Sequence, residues 1–227
     1  MRKPMVETKL KSEIKRINNE GIKGDVVECG VYKGLSMQVF LREHLSMMEN
    51  ALHRTFYLFD TYEGMPQRNP ELDWKFKEKR KDDGFWSKAR PLGSWLKVPL
   101  EIVKQNINNV LQEFPEEWVT SKVTIKYVKG LIEDTLENPD NLPEEIAFLN
   151  LDTDFYRSTL KSLQILEPRV VPSGVLIVDD YGTWNGAKEA TLEYFKGERP
   201  HQRDNLDRRI YLGKEAFKDN KNEKKIE

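Results

Sequence analysis

Five short apolar runs divide this chain, and their alternation with helical patterns constrains its fold most. The runs are GDVVECG (24–30), TFYLFD (55–60), VTIKYVKG (123–130), EIAFLNLD (145–152) and GVLIVDD (174–180). Each is rich in β-branched and aromatic residues and is about strand length. Between them apolar residues recur at helical spacing. Residues 35–49 carry Met37, Phe40, Leu41, His44, Leu45 and Met48 on one face, and residues 99–114 carry Ile102, Val103, Ile107, Val110 and Leu111. Residues 158–170 and 186–195 continue the pattern, and RRIYLG (208–213) reads as a last strand at an edge. Strands that alternate with helices give an α/β fold: a mostly parallel sheet with helices on both faces, in one domain over residues 1–227. The charged tail at 214–227 is expected to be flexible.

A parallel sheet gathers its carboxyl ends along one edge, where ligands bind. On that edge the runs place Glu28, Asp60, Asp152, Asp154, Asp179 and Asp180. Carboxylates crowded together repel one another unless cations or hydrogen-bond donors intervene. Two groups separate. Glu28 and Asp60 end early strands beside the turn ECGVYKGLS, whose Gly30 and Gly34 let backbone approach a ligand at the start of a helix. An acid at the end of the second strand suits the hydroxyls of a ribose, so this half reads as a nucleoside site, with simple turn chemistry as the plainer alternative. Asp152, Asp179 and Asp180 are hard oxygen ligands that suit Mg²⁺ or Ca²⁺. The plainer alternative there is a helix cap by Asp154 or Ser158.

Residues 61–98 fit no strand–helix unit and are too long for an ordinary connection. Trp74, Phe76, Phe85, Trp86 and Trp95 alternate there with Lys and Arg. The segment leaves the carboxyl end of the second strand, so it reads as a lid over the site or as a passive surface loop.

Composition excludes several classes of function. The formal net charge of -1 provides no basic field for nucleic acid or an anionic membrane. The single cysteine, Cys29, makes neither a disulfide framework nor a thiolate metal cluster and reads as an inert core thiol. Residues 1–20 have no apolar core for a signal peptide, so a cytoplasmic location is expected. His44, His53 and His201 end none of the runs and read as structural or solvent-exposed.

The blocks GDVVECGVYKGLS, YLFDTYEGMP, VKGLIEDTL and LNLDTDFYRSTLKSLQILEPRVVPSGVLIVDDYGTWNGAKEA together resemble the macrocin O-methyltransferase family, in its order, from about Gly24 to Tyr211. The resemblance implies a Rossmann-like class I methyltransferase fold with a lid insertion. It implies S-adenosyl-L-methionine as methyl donor, Mg²⁺ or another divalent cation, and a small hydroxylated acceptor such as a sugar. By the family's motifs, Glu28, Gly30, Tyr32, Gly34 and Ser36 form the cofactor loop. Asp60, followed by Thr61, binds ribose, and Gly130, Leu131 and Ile132 lie beside adenine. Asp152, Asp179 and Asp180 bind the metal, and Asp154 is the general base. A homodimer is expected as well. Thr153 departs from the family's glycine between the two aspartates, and residues 65–98 match poorly. A metal-dependent glycosyltransferase, using the paired aspartates on a nucleotide-sugar, and a non-catalytic nucleoside-binding relative are the alternatives.

Overall fold

A computed structural model describes residues 4–47, 50–75, 95–196 and 209–212. Six strands form one sheet: β1 (Asp25–Cys29), β2 (Arg54–Asp60), β3 (Val123–Lys129), β4 (Ile146–Leu151), β5 (Val170–Val178) and β6 (Arg209–Leu212). Their order is β3-β2-β1-β4-β5-β6, and every neighbouring pair is parallel. All five expected runs are strands, and the last strand lies at the edge. The chain winds outward from β1 in both directions, so the sheet reverses its strand order between β1 and β4. A crevice opens at their carboxyl ends for that reason.

Alternate residues of each strand serve opposite faces. Val26, Phe56, Leu58, Phe148, Val175 and Ile177 pack under α1 (Pro4–Asn19), α2 (Leu35–Leu45) and α3 (Leu100–Leu111), which contribute Ile14, Phe40 and Ile107. Val27, Cys29, Phe59, Leu149, Leu151 and Val178 face the other way, toward Leu163 and Leu166 of α6 (Tyr156–Leu166). Helices α4 (Glu116–Lys122), α5 (Ile132–Thr135) and α7 (Asn185–Tyr194) complete the described set. No helix among the described residues is long and apolar enough to cross a membrane.

Several boundaries differ from the sequence expectation. The helix expected over 35–49 ends at Leu45, and the one expected over 158–170 spans Tyr156–Leu166. Strand β5 begins at Val170, ahead of the apolar run, because the chain holds an irregularity there: Ser173 has φ 63 and the pairing with β4 shifts register between Ile146 and Phe148. The basic N-terminal segment is a full helix, because Leu10, Ile14 and Ile17 bury one stripe against the sheet. The expected tail at 214–227 and His201 lie outside the described residues.

One buried cation ties the amino ends together. The Arg54 guanidinium is almost wholly enclosed and donates to the carbonyls of Gly24 and Ile22 and to Asn18 Oδ1. Burial pulls its pKa down to about 10, while the Asp25 charge opposes the shift.

Candidate active site

The turn after β1 is fixed by contact with the end of β4. Gly30 has φ 86, and a Cβ there would lie 2.0 Å from the Asp152 carbonyl oxygen. Only glycine permits this approach, and it holds open a backbone-lined wall at the crevice. Asp60, at the end of β2, clamps the same turn. Its Oδ2 accepts from the Val31 and Tyr32 N–H groups at 2.7 and 2.9 Å, and its Oδ1 accepts from Tyr62 N–H at 2.7 Å. Tyr32 and Tyr62 both take the left-handed conformation, with φ 51 and φ 54, so the carboxylate holds two strained residues in place. An ionised carboxylate offers about four acceptor positions. Three are taken by backbone N–H groups here, and Thr61 Oγ1 lies 3.5 Å from Oδ1. Thr61 Oγ1 donates to the Gly64 carbonyl at 2.6 Å and closes the next turn.

Glu28 was expected on the acidic rim, and the structure moves it inside. It is 1% exposed, shares its strand face with Leu58 and Asn150, and its Oε1 accepts from Asn150 Nδ2 at 2.9 Å. The β alternation that turns Cys29 to one face turns Glu28 into the layer below α2. Cys29 itself is fully enclosed, and burial raises its thiol pKa to about 12, as befits an inert core thiol.

The other half of the crevice belongs to the aspartates. One carboxylate oxygen from each of Asp152, Asp179 and Asp180 lies within 4.8 Å of the others. Oxygens that share one Mg²⁺ or Ca²⁺ at roughly 2.0–2.6 Å sit at most about 4–5 Å apart, so the donor set fits such an ion in chemistry and in spread. Asp154 has φ 61, which turns its N–H onto Asp180 Oδ2 at 3.1 Å. Burial, then the Asp152 charge, pushes the Asp154 carboxyl up to about 7, against the pull of Asp180's hydrogen bond and the Lys75 charge. The Asp180 carboxyl is held well above the usual carboxylate range by burial and by the charges of Asp154, Asp152 and Asp179. Such a cluster binds either protons or a cation.

The proposed helix cap is supplied by a different residue. Neither Asp154 nor Ser158 caps α6; Phe155 stands at its N-cap without a side-chain bond. Instead Asp73, from the insertion, accepts from the Tyr156 N–H at 2.7 Å through Oδ1 and from the Asn69 N–H at 2.9 Å through Oδ2. Asp73 is 3% exposed, and Gly186 of α7 leaves it space, since a Cβ there would lie 2.0 Å from its Oδ1. The two described roots of the insertion also meet, through Met65 N–H to the Trp95 carbonyl at 3.0 Å. Lys75 pairs with Trp184 as an antiparallel bridge. Phe76, Phe85 and Trp86 lie outside the described residues, as does most of the expected lid.

These parts enclose one cavity of about 370 Å³. Of the expected cofactor residues, Gly30, Tyr32, Asp60, Thr61, Gly130, Leu131 and Ile132 line it, together with Asp152, Asp154 and Asp180. Gly34 and Ser36 do not; Gly34 abuts Ile107 and Val103 at the start of α2, and Ser36 is buried. Asp179 enters through the acidic triad. Sequence reasoning missed Lys75, Met65, Thr183 and Trp184 on the wall, and Trp95 was expected there. Trp184 meets Phe155 edge-on at 5.4 Å and Trp95 at 6.4 Å.

Comparison with known proteins places the chain among O-methyltransferases. The chain is 30% identical over 175 residues to the 8-demethyl-8-(2,3-dimethoxy-alpha-L-rhamnosyl)-tetracenomycin-C 4'-O-methyltransferase of Streptomyces olivaceus, an alignment that covers 77% of this chain and 59% of that protein. It is 28% identical over 190 residues to the demethyldecarbamoylnovobiocin O-methyltransferase of Streptomyces niveus, covering 80% and 62%. The chain thus spans about three fifths of the length of these relatives. Among solved structures, the O-methyltransferase NovP superposes with a TM-score of 0.60 at 25% identity, over 85% of this chain and 71% of NovP. The calicheamicin methyltransferase CalS11 shares the fold, with a TM-score of 0.61 at 17% identity, over 86% of this chain and 72% of CalS11. The sheet is therefore that of the class I O-methyltransferases. A family model described as Macrocin-O-methyltransferase (TylF) matches residues 5–207, and the chain belongs to that family.

Proposed function

We propose that this chain transfers the methyl group of S-adenosyl-L-methionine to a hydroxyl of a sugar or sugar-bearing small molecule, in a reaction that depends on a divalent cation. The observation that carries the proposal is a single cavity that joins the glycine turn and Asp60 to the acidic edge, in a chain of this family. Gly30, Asp60, Thr61 and the turn Gly130–Ile132 form the nucleoside end. Asp60 Oδ1 is the acceptor for one ribose hydroxyl, and its other bonds keep the turn shaped to receive the cofactor.

Asp152, Asp179 and Asp180 would hold the cation. When bound, it supplies Lewis acidity that makes a sugar hydroxyl more acidic and fixes its position. Asp154 lines the cavity beside the triad and takes the proton that the hydroxyl releases as its oxygen gains the methyl group. Its proton affinity, raised by burial, suits a base that must work near neutral pH. Trp95, Met65 and Trp184 form an apolar wall that keeps water from the reacting oxygen and limits how the acceptor can turn. Alignment of donor and acceptor in this way supplies on the order of 7–11 kcal/mol of the barrier in favourable cases.

The test is transfer of radiolabelled methyl from S-adenosyl-L-methionine to a panel of glycosides, with Mg²⁺ and after chelation, beside calorimetry of S-adenosylhomocysteine. Transfer that needs Mg²⁺, with product binding preserved in chelator, supports the reading. Failure to bind S-adenosylhomocysteine removes it.

A further inference from the structure

Lys75 is the one cationic side chain among the described residues that line the cavity. Its Nζ lies 4.7 Å from the centre of the Trp184 ring and 5.5 Å from that of Trp95. Backbone pairing with Trp184 fixes the same residue from behind, and the Asn185 N–H bond to the Trp74 carbonyl fixes its neighbour. Among the described residues no carboxylate lies within salt-bridge distance of the ammonium, although its charge is felt at Asp154. The indoles attract the charge but accept none of its three N–H donors in the way an oxygen would. A half-buried ammonium with spare donors that faces a ligand cavity is placed to bind a ligand oxygen.

Charge decides which oxygen. The same cavity is lined by five carboxyl groups, those of Asp60, Glu133, Asp152, Asp154 and Asp180, with Asp179 beside them. An anionic group near Lys75 would bring a further negative charge to this acidic cavity, where burial already penalises charge, whereas a neutral oxygen accepts from the ammonium without that cost.

We propose that Lys75 is an acceptor-binding residue that sets specificity: held over Trp184, its ammonium donates a hydrogen bond to a neutral sugar oxygen next to the one that is methylated. This rests on the sugar-methyltransferase reading above and names the chemistry of its acceptor: a neutral glycoside with an oxygen beside the reacting hydroxyl.

The experiment measures binding of methyl α-L-rhamnopyranoside by saturation-transfer NMR, with S-adenosylhomocysteine and Mg²⁺ present, for the wild type and for Lys75→Met, Lys75→Gln and Lys75→Arg. Calorimetry of S-adenosylhomocysteine on each variant reports the fold and the nucleoside end. The expected result is rhamnoside affinity at least tenfold weaker in Lys75→Met, intermediate loss in Lys75→Gln and Lys75→Arg, and S-adenosylhomocysteine affinity within twofold of wild type. Equal rhamnoside affinity in wild type and Lys75→Met overturns the role of Lys75 and leaves the methyltransferase reading standing. Tighter binding of dTDP-L-rhamnose than of the rhamnoside, lost in Lys75→Met, overturns it in favour of an anion site. A wild type that binds S-adenosylhomocysteine but no rhamnoside removes the sugar acceptor and the proposal together.

Discussion

Replacement of Asp60 by alanine should damage the protein in two measurable ways, and their ratio tests the geometry. The carboxylate accepts three backbone N–H bonds, from Val31, Tyr32 and Tyr62. Hydrogen bonds to a charged acceptor contribute roughly 1.5–3 kcal/mol each, so full burial would imply about 4.5–9 kcal/mol. Asp60 is only half-buried, and water replaces part of each bond, which lowers the expected loss to about 3 kcal/mol. Relaxation of Tyr32 and Tyr62 from their left-handed conformations would return about 1 kcal/mol each and reshape the turn. Asp60→Ala should therefore unfold at clearly lower denaturant and bind S-adenosylhomocysteine on the order of 10²-fold more weakly. Asp60→Asn, which keeps one acceptor oxygen, should fall between the two. Equilibrium urea unfolding and calorimetry are the assays. If Asp60→Ala unfolds like the wild type and loses only ligand affinity, the carboxylate serves the ligand and does not hold the turn.

Three more outcomes are expected. His44 is fully buried between α2 and β2, edge-on to Phe56 at 5.3 Å, and burial pulls its pKa down to about 4. Its contribution to stability is then full above the unfolded value near 6.5 and is lost as pH falls toward 4; the loss amounts to about 3 kcal/mol, and His44→Leu should flatten that part of the unfolding profile relative to wild type. Gly186→Ala drives a methyl group into Asp73 Oδ1 and the Tyr156 N–H, at 2.0 and 2.7 Å, and should destabilise by about 1–3 kcal/mol. It should also slow methyl transfer while S-adenosylhomocysteine binding survives, as stability, turnover and calorimetry together would report. Because Asp180 holds its proton more tightly than an ordinary carboxylate, Mg²⁺ should raise the melting temperature more at pH 8 than at pH 6, where protons compete for its oxygens.

The sheet was legible because its strands carry their own pattern: five compact apolar runs, each closed by an acid or a glycine at the end that meets the ligand edge. Helix α1 was not marked in the sequence beyond a basic, amphipathic segment, and its stripe of Leu10, Ile14 and Ile17 is short. Helix α4 buries none of its residues, so no periodic signal marks it. The start of β5 was hidden because the apolar run begins only at Gly174, while Val170–Ser173 form an irregular opening of the strand with Ser173 at φ 63. At the site, the acidic triad followed from strand ends alone, since parallel strands bring their carboxyl ends together. Contacts between distant segments did not follow. Asp73 caps a helix 83 residues away, and nothing in the stretch NPELDW sets this aspartate apart from a solvated one. The placement of Lys75 and Trp184 arises from the same docking of the insertion onto α6 and α7. Glu28 could be misplaced because a strand end does not say which face a side chain takes until the register is known.

The proposed chemistry needs a division of labour in which Asp152, Asp179 and Asp180 hold a cation and Asp154 stays free for the proton. Titration of Mn²⁺ followed by electron paramagnetic resonance tests it on the protein alone, without an acceptor. The wild type should bind one Mn²⁺ per chain, Asp179→Asn should weaken that binding by at least tenfold, and Asp154→Asn should bind as the wild type does. Loss of Mn²⁺ in Asp154→Asn equal to that in Asp179→Asn would make Asp154 a ligand, and wild-type protein that binds no Mn²⁺ would contradict the account at its centre.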